Sequence, residues 1–254
     1  MTYRSLSRFS PDFDPDAGIK SDSGALQPIR FRYIALFLLG STTSGCVIAV
    51  LTGVLAYGLT HSKFVAGAVG GIALYAALIA GYHWTSQKRG WVGLRTRFAS
   101  VSTKPLIVGA STAVAVFAYM SVLVSLLTWA GVKLADVPSS IELDSWAQLP
   151  LALVFIAVFA PFTEELLFRG LLLDWLKEKM NVWLAAIILS IIFSLLHANP
   201  FSLGAVGWLA FTDRLLLGMG ASAMTIKYHS LRPAFAMHAT WNTIAGFASV
   251  LSAG

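Results

Sequence analysis

Three observations predict an all-α, polytopic membrane bundle of about seven transmembrane helices with a cytoplasmic N-terminus. Of the 254 residues, 57% are hydrophobic and only 12% are charged, where a soluble domain carries about 25% charged residues. Several apolar runs exceed the ~18 residues that mark a spanning helix. Basic residues also crowd into alternate connections, the bias that sets membrane topology.

Residues 1–32 are polar and turn-rich, with Asp12, Asp14, Asp16 and Asp22 among scattered basic residues, and read as a flexible cytoplasmic tail. The first apolar run begins near Tyr33 and is too long for a cleaved signal peptide. Arg30 and Arg32 stand before it as the inner flank of a signal anchor. Seven spans follow, at about 33–60, 64–85, 105–130, 148–173, 182–198, 204–226 and 233–252, each near the ~20 residues a crossing needs.

Gly67 and Gly71 form a GxxxG in the second span, a spacing compatible with close helix packing. The loop Gln87–Lys104 holds Lys88, Arg89, Arg95, Arg97 and Lys104 and belongs in the cytoplasm. On this topology 14 of the 18 Lys and Arg lie inside. The outer segments hold only Lys63 and Lys133, beside the acidic Asp136, Glu142 and Asp144, while Arg169 and Arg214 lie in or at the edge of spans. The net charge of +6 is therefore orientation charge, and no nucleic-acid partner is expected. The single Cys46 excludes an internal disulfide and a CxxC metal site and reads as a packing residue. Trp84 and Trp91 suit an interfacial aromatic belt. His61, His83 and His229 fall in loops or at span ends and are assigned no chemistry.

Three polar constellations interrupt the apolar spans. The fourth span carries Glu164-Glu165-x-x-x-Arg169, with Pro161 upstream to free a backbone carbonyl and bend the helix. Residues four apart share a helical face, so Glu165 pairs with Arg169. Glu164 points about 100° away and has no evident partner on its own helix. Charge at mid-bilayer costs roughly 2.5–3.5 kcal/mol on insertion scales, so such groups mark function. The fifth span ends Phe193-x-x-x-His197, before Asn199-Pro200 stops the helix, and the seventh carries His238-x-x-x-Asn242. Alone, each could be a buried ion pair or an interhelical hydrogen bond. Together they are what amide hydrolysis requires. A carboxylate and an imidazole can activate water, and an imidazole and a carboxamide can receive an oxyanion. Asp213-Arg214 adds two charges in the sixth span, read as a mutual or interhelical pair.

These three motifs resemble those of the CPBP intramembrane proteases, which include the type II CAAX prenyl endopeptidases and the bacterial Abi-type membrane proteins. The resemblance divides the chain into a tail at 1–32, an unspecified set of membrane helices at 33–147 and a catalytic core at 148–252. It implies a glutamate-dependent endopeptidase of the bacterial cell membrane, acting near the cytoplasmic leaflet on membrane-embedded or lipidated, CAAX-type peptides. By position, Glu164 and His197 would activate water and His238 and Asn242 would form the oxyanion hole. Glu165 and Arg169 would support the site, and Phe193 would pack beneath it. No cofactor is expected.

Zinc on Glu164, His197 and His238 is the nearest alternative, although no H-E-x-x-H helix is present. A proton-coupled transporter would show two related halves, and no repeat is evident. A pocket that binds without cutting is the remaining reading. One arithmetic tension is visible: His197 lies about 22 Å along its span and His238 only about 8 Å along its own.

Overall fold

In a computed structural model, residues 29–132, 134, 143, 145–201 and 204–253 are described. Most of the expected tail and the loop charges Lys133, Asp136, Glu142 and Asp144 lie outside them. Among the described residues the chain is helical without strands: α1 (Phe31–Thr60), α2 (Lys63–Arg89), the short α3 (Leu94–Arg97), α4 (Thr103–Trp129), α5 (Trp146–Lys177), α6 (Val182–His197), α7 (Ala205–Tyr228) and α8 (Arg232–Ala253). Helices α1, α2, α4 and α5 are long and apolar enough to cross a membrane, and α6 is apolar but shorter. The protein is an all-α membrane protein.

Helix α1 packs mainly on α2, while α4, α7 and α8 pack together and α6 lies on α7. Most of α1 therefore faces outward, and Cys46 is exposed, not a packing residue as its apolar run suggests. The GxxxG reading also needs correction. A side chain at Gly71 would strike the Phe155 ring of α5, whereas one at Gly67 would meet nothing. The close approach of α1 to α2 comes instead at Gly70, where an added Cβ would lie 2.9 Å from the Ala49 carbonyl oxygen. Helices α1 and α7 end on His61 and His229, both left-handed, at φ 53° and 51°.

The basic connection after α2 is not a free loop. Trp91 is 6% exposed and clusters with Phe37 and Tyr82, so it is a core residue and only Trp84 stands outward. Tyr82 donates from its hydroxyl to the Val92 carbonyl at 2.7 Å, and Arg97 Nε donates to the same hydroxyl at 3.1 Å. Arg97 also forms an ion pair with Asp174 of α5. The strap then covers the α7–α8 corner. Leu231 N donates to Arg97 O at 2.8 Å, Ser230 Oγ to Ala99 O at 2.9 Å and Arg232 Nε to Phe98 O at 2.8 Å. Phe98 stacks on Phe162 of α5 with centroids 4.3 Å apart, and Phe235 of α8 meets both rings edge-on.

The strap is tied to α5 by the Arg97–Asp174 pair, with side chains 9% and 16% exposed, and Asp174 has a second partner in Lys177 at 2.5 Å. Breaking a fully buried pair costs about 3–5 kcal/mol, and here Lys177, still paired with Asp174, lessens the loss. Arg97→Met is expected to cost about 2–3 kcal/mol, read as a lower melting temperature in detergent. Arg97→Met with Asp174→Leu should recover part of that loss.

Candidate active site

The first half of helix α5 owes its shape to Pro161. Proline has no N–H and its ring crowds the preceding turn, and the helix responds by widening. π-helical turns at Val154–Phe159 and Leu166–Leu172 flank the α-helical segment Ala160–Glu165 that carries the glutamates. In this register the Ala160 N–H reaches Phe155 O, five residues back. Pro161 would then owe a bond to Ile156 O and cannot make it. Asn242 Nδ2 of α8 fills that place at 2.6 Å. The carbonyl freed by the proline is thus the anchor of the asparagine, whose second amide N–H and oxygen remain for other work.

Glu165 and Arg169 form the buried pair expected from their spacing, at 3.0 Å and with 0% and 2% exposure. Arg169 also donates to Gly218 O at 3.0 Å and reaches Ser222 Oγ at 3.5 Å, both on α7. Neither α7 partner was foreseen, since small residues on an apolar helix carry no distinguishing signal. Phe193 is fully buried beneath this group: its ring centroid lies 4.8 Å from the Arg169 guanidinium carbon, 4.3 Å from the His197 ring and 5.7 Å from the His238 ring.

Glu164 has partners after all, from other helices. Tyr75 of α2 donates from its hydroxyl to Glu164 Oε1 at 3.3 Å. Tyr75 was not singled out in the sequence, though a phenol inside an apolar span needs a partner for its hydroxyl. His197 Nε2 and His238 Nε2 face Glu164 Oε2 at 3.5 and 3.7 Å. That oxygen is buried and has no hydrogen bond.

Hydrogen-bond accounting gives each imidazole its tautomer. His197 Nδ1 sits 2.7 Å from the Phe193 carbonyl oxygen, which only accepts, so Nδ1 carries the hydrogen. His238 Nδ1 lies 2.8 Å from Glu165 Oε1, an acceptor already paired with Arg169, so it too carries the hydrogen. In their neutral forms both rings turn an Nε2 lone pair toward Glu164. Three acceptors then converge on one point, which a water or an additional proton must occupy.

Six of the seven residues read from the three motifs, Glu164, Glu165, Arg169, Phe193, His197 and His238, thus lie in one connected cluster, and Asn242, four residues after His238 on α8, joins α5 through Ile156 O instead. His197 and His238 nevertheless meet at one oxygen of Glu164, despite their different distances along their helices. The α5–α6 corner is exposed at Lys177–Lys179, whereas Ser230 and Leu231 are buried at 3% and 1% beneath the strap. Asp213 and Arg214 pair with each other at 2.8 Å, and Arg214 lies over Trp241 at 5.3 Å. No group of three or more His, Cys, Asp or Glu among the described residues is arranged to hold a metal ion.

Residues 146–244 match the family model described as Rce1-like, type II CAAX prenyl endopeptidase. A curated protein of Bacillus subtilis (strain 168), named "Putative membrane peptidase YdiL", is 35% identical over 57 residues. That match covers 22% of this chain and spans 23% of the relative's length. No solved structure matches.

The bond between Asn242 and Ile156 gives Asn242 a structural duty separable from chemistry. Asn242→Ala leaves a buried carbonyl unsatisfied and is expected to cost about 1–3 kcal/mol, measured by thermal unfolding. Adding Pro161→Ala restores a backbone N–H and should return part of that stability.

Proposed function

From the match of residues 146–244, which run from α5 into α8, to Rce1-like endopeptidases, we propose that this protein is a glutamate-dependent intramembrane endopeptidase. The substrate would be a membrane-associated peptide, prenylated CAAX-type chains included, cut near the cytoplasmic leaflet of a bacterial cell membrane. One observation carries the chemistry: the unbonded, buried Glu164 Oε2 faced by two imidazole nitrogens.

A water held there loses a proton to Glu164, with His197 sharing that proton, and its oxygen attacks the scissile carbonyl carbon. The carbonyl becomes a tetrahedral oxyanion. Asn242 can offer its second amide N–H, and His238 can offer Nε2–H as an imidazolium held by the Glu165 carboxylate at Nδ1. Collapse of the intermediate breaks the C–N bond, and the proton taken from water passes to the leaving amine. The products are a new carboxylate and a free amine, and no metal enters the balance. Tyr75 holds the other oxygen of Glu164 and so aims Oε2 at the water. Phe98, Phe162 and Phe235 form an aromatic wall next to this segment of α5 and α8, suited to keeping bulk water out.

The test is cleavage of a quenched membrane-peptide library by the full chain in lipid. Glu164→Gln should lower turnover by about 10²–10⁴-fold, the usual contribution of a positioned base. Tyr75→Phe should lower it by about 5- to 10-fold, corresponding to roughly 1–1.4 kcal/mol for one long hydrogen bond to a carboxylate. A chelator should leave wild-type turnover unchanged; loss of activity to chelator with return on zinc would overturn the metal-free mechanism.

A further inference from the structure

Away from the site, the paired ends of α1 and α2 hold a groove and an unbalanced charge. The groove has a volume of about 210 Å³ and is lined chiefly by Phe37, Gly40, Ser41, Gly81, Trp84 and Arg89. A Cβ built on Gly40 meets nothing within 4 Å, so its wall is open. At the mouth stand two guanidiniums on one ring: Arg89 and Arg32 lie 4.2 and 4.7 Å from the Tyr33 centroid. Arg32 also donates to the Tyr33 hydroxyl at 2.9 Å. Among the described residues no carboxylate lies in ion-pair range of Arg30, Arg32 or Arg89. Every other described arginine that reaches a carboxylate does so inside the bundle.

We propose that this groove is a binding site for one anionic phospholipid, with an acyl chain along Phe37 and Gly40 and the phosphate on Arg32 and Arg89. Charge decides the class of ligand. Two guanidiniums without a carboxylate partner among the described residues match a phosphodiester bearing net negative charge better than a zwitterionic headgroup, whose own ammonium offsets it. Position decides the source. A basic pocket between membrane helices at their charged ends meets lipid headgroups before anything else. The exposed Trp84, at 64%, and Tyr33 place amphipathic rings at the same level. Phe37 links the site to the strap, since its buried ring packs edge-on against Trp91 at 6.0 Å. A bound lipid therefore braces α1 and α2 where the strap departs.

Native mass spectrometry of the full chain released from detergent tests this, with phosphatidylglycerol and phosphatidylcholine of identical chains, and inorganic phosphate as the bare anion. One phosphatidylglycerol should be retained per chain, at least tenfold more tightly than phosphatidylcholine, and inorganic phosphate should not bind. Arg32→Gln with Arg89→Gln should abolish that preference, whereas the double lysine variant should keep part of it. Gly40→Leu should weaken retention of both lipids. Each variant is checked for unchanged melting without added lipid, and phosphatidylglycerol should raise the melting temperature of the wild type but not of the double glutamine variant. Equal retention of the two lipids, or a preference that survives both glutamine substitutions, would overturn the site. So would a dimer that Gly40→Leu dissolves while lipid retention is unchanged, because the groove would then seat a second copy.

Discussion

The Arg169 guanidinium, 2% exposed in an apolar bundle, is the constraint on which the rest depends. Desolvating an ion costs several kcal/mol, and attraction to a partner offsets this only with good geometry and satisfied hydrogen bonds. The chain meets that demand from three directions. Glu165 supplies the charge from one helical turn away on α5, and Gly218 and Ser222 supply acceptors from α7. His238 of α8 joins on the same Glu165 oxygen. Phe193 of α6 closes the group from below. Four helices are thereby committed to one arrangement, because loosening any of them strands a buried charge.

A second economy couples strain to chemistry. Pro161 disrupts the helix just before the glutamates, and the widened turns expose a carbonyl that a regular helix would have satisfied. Asn242 is held by that carbonyl. A residue suited to stabilising an oxyanion is therefore oriented by a backbone defect, and the defect is tolerated because the residue fills it. π-helical turns often mark functional sites, and here the reason is visible in the hydrogen-bond accounting.

The strap gives a basic connection a packing role. It covers Ser230 and Leu231, and it stacks Phe98 on Phe162 two residues before Glu164. Charges that serve topology in the sequence thus also serve tertiary structure, Arg97 through Asp174 and Arg232 through the Phe98 carbonyl. In the Asp213–Arg214 pair, by contrast, the nearest partners are simply neighbours in sequence.

Much of this was legible without coordinates. Apolar length and period determine helices locally, so the seven spans fall within a few residues of the observed elements. The Glu165–Arg169 pair follows from spacing alone, and three motifs on apolar runs mark one polar cluster because charge in such surroundings is costly. Tyr75, Gly218, Ser222 and the strap were not legible. Each acts through a partner 49 or more residues away, or through a corner whose depth is set by packing, and local periodicity carries no record of either. Helix approach misled for the same reason: Gly70, not the Gly67–Gly71 pair, meets the neighbouring backbone, because rotation about the helix axis is chosen by the partner. The sequence by itself determined which residues are polar where polarity is expensive. Only the tertiary structure decided which atoms face one another, because that depends on helix rotation and depth.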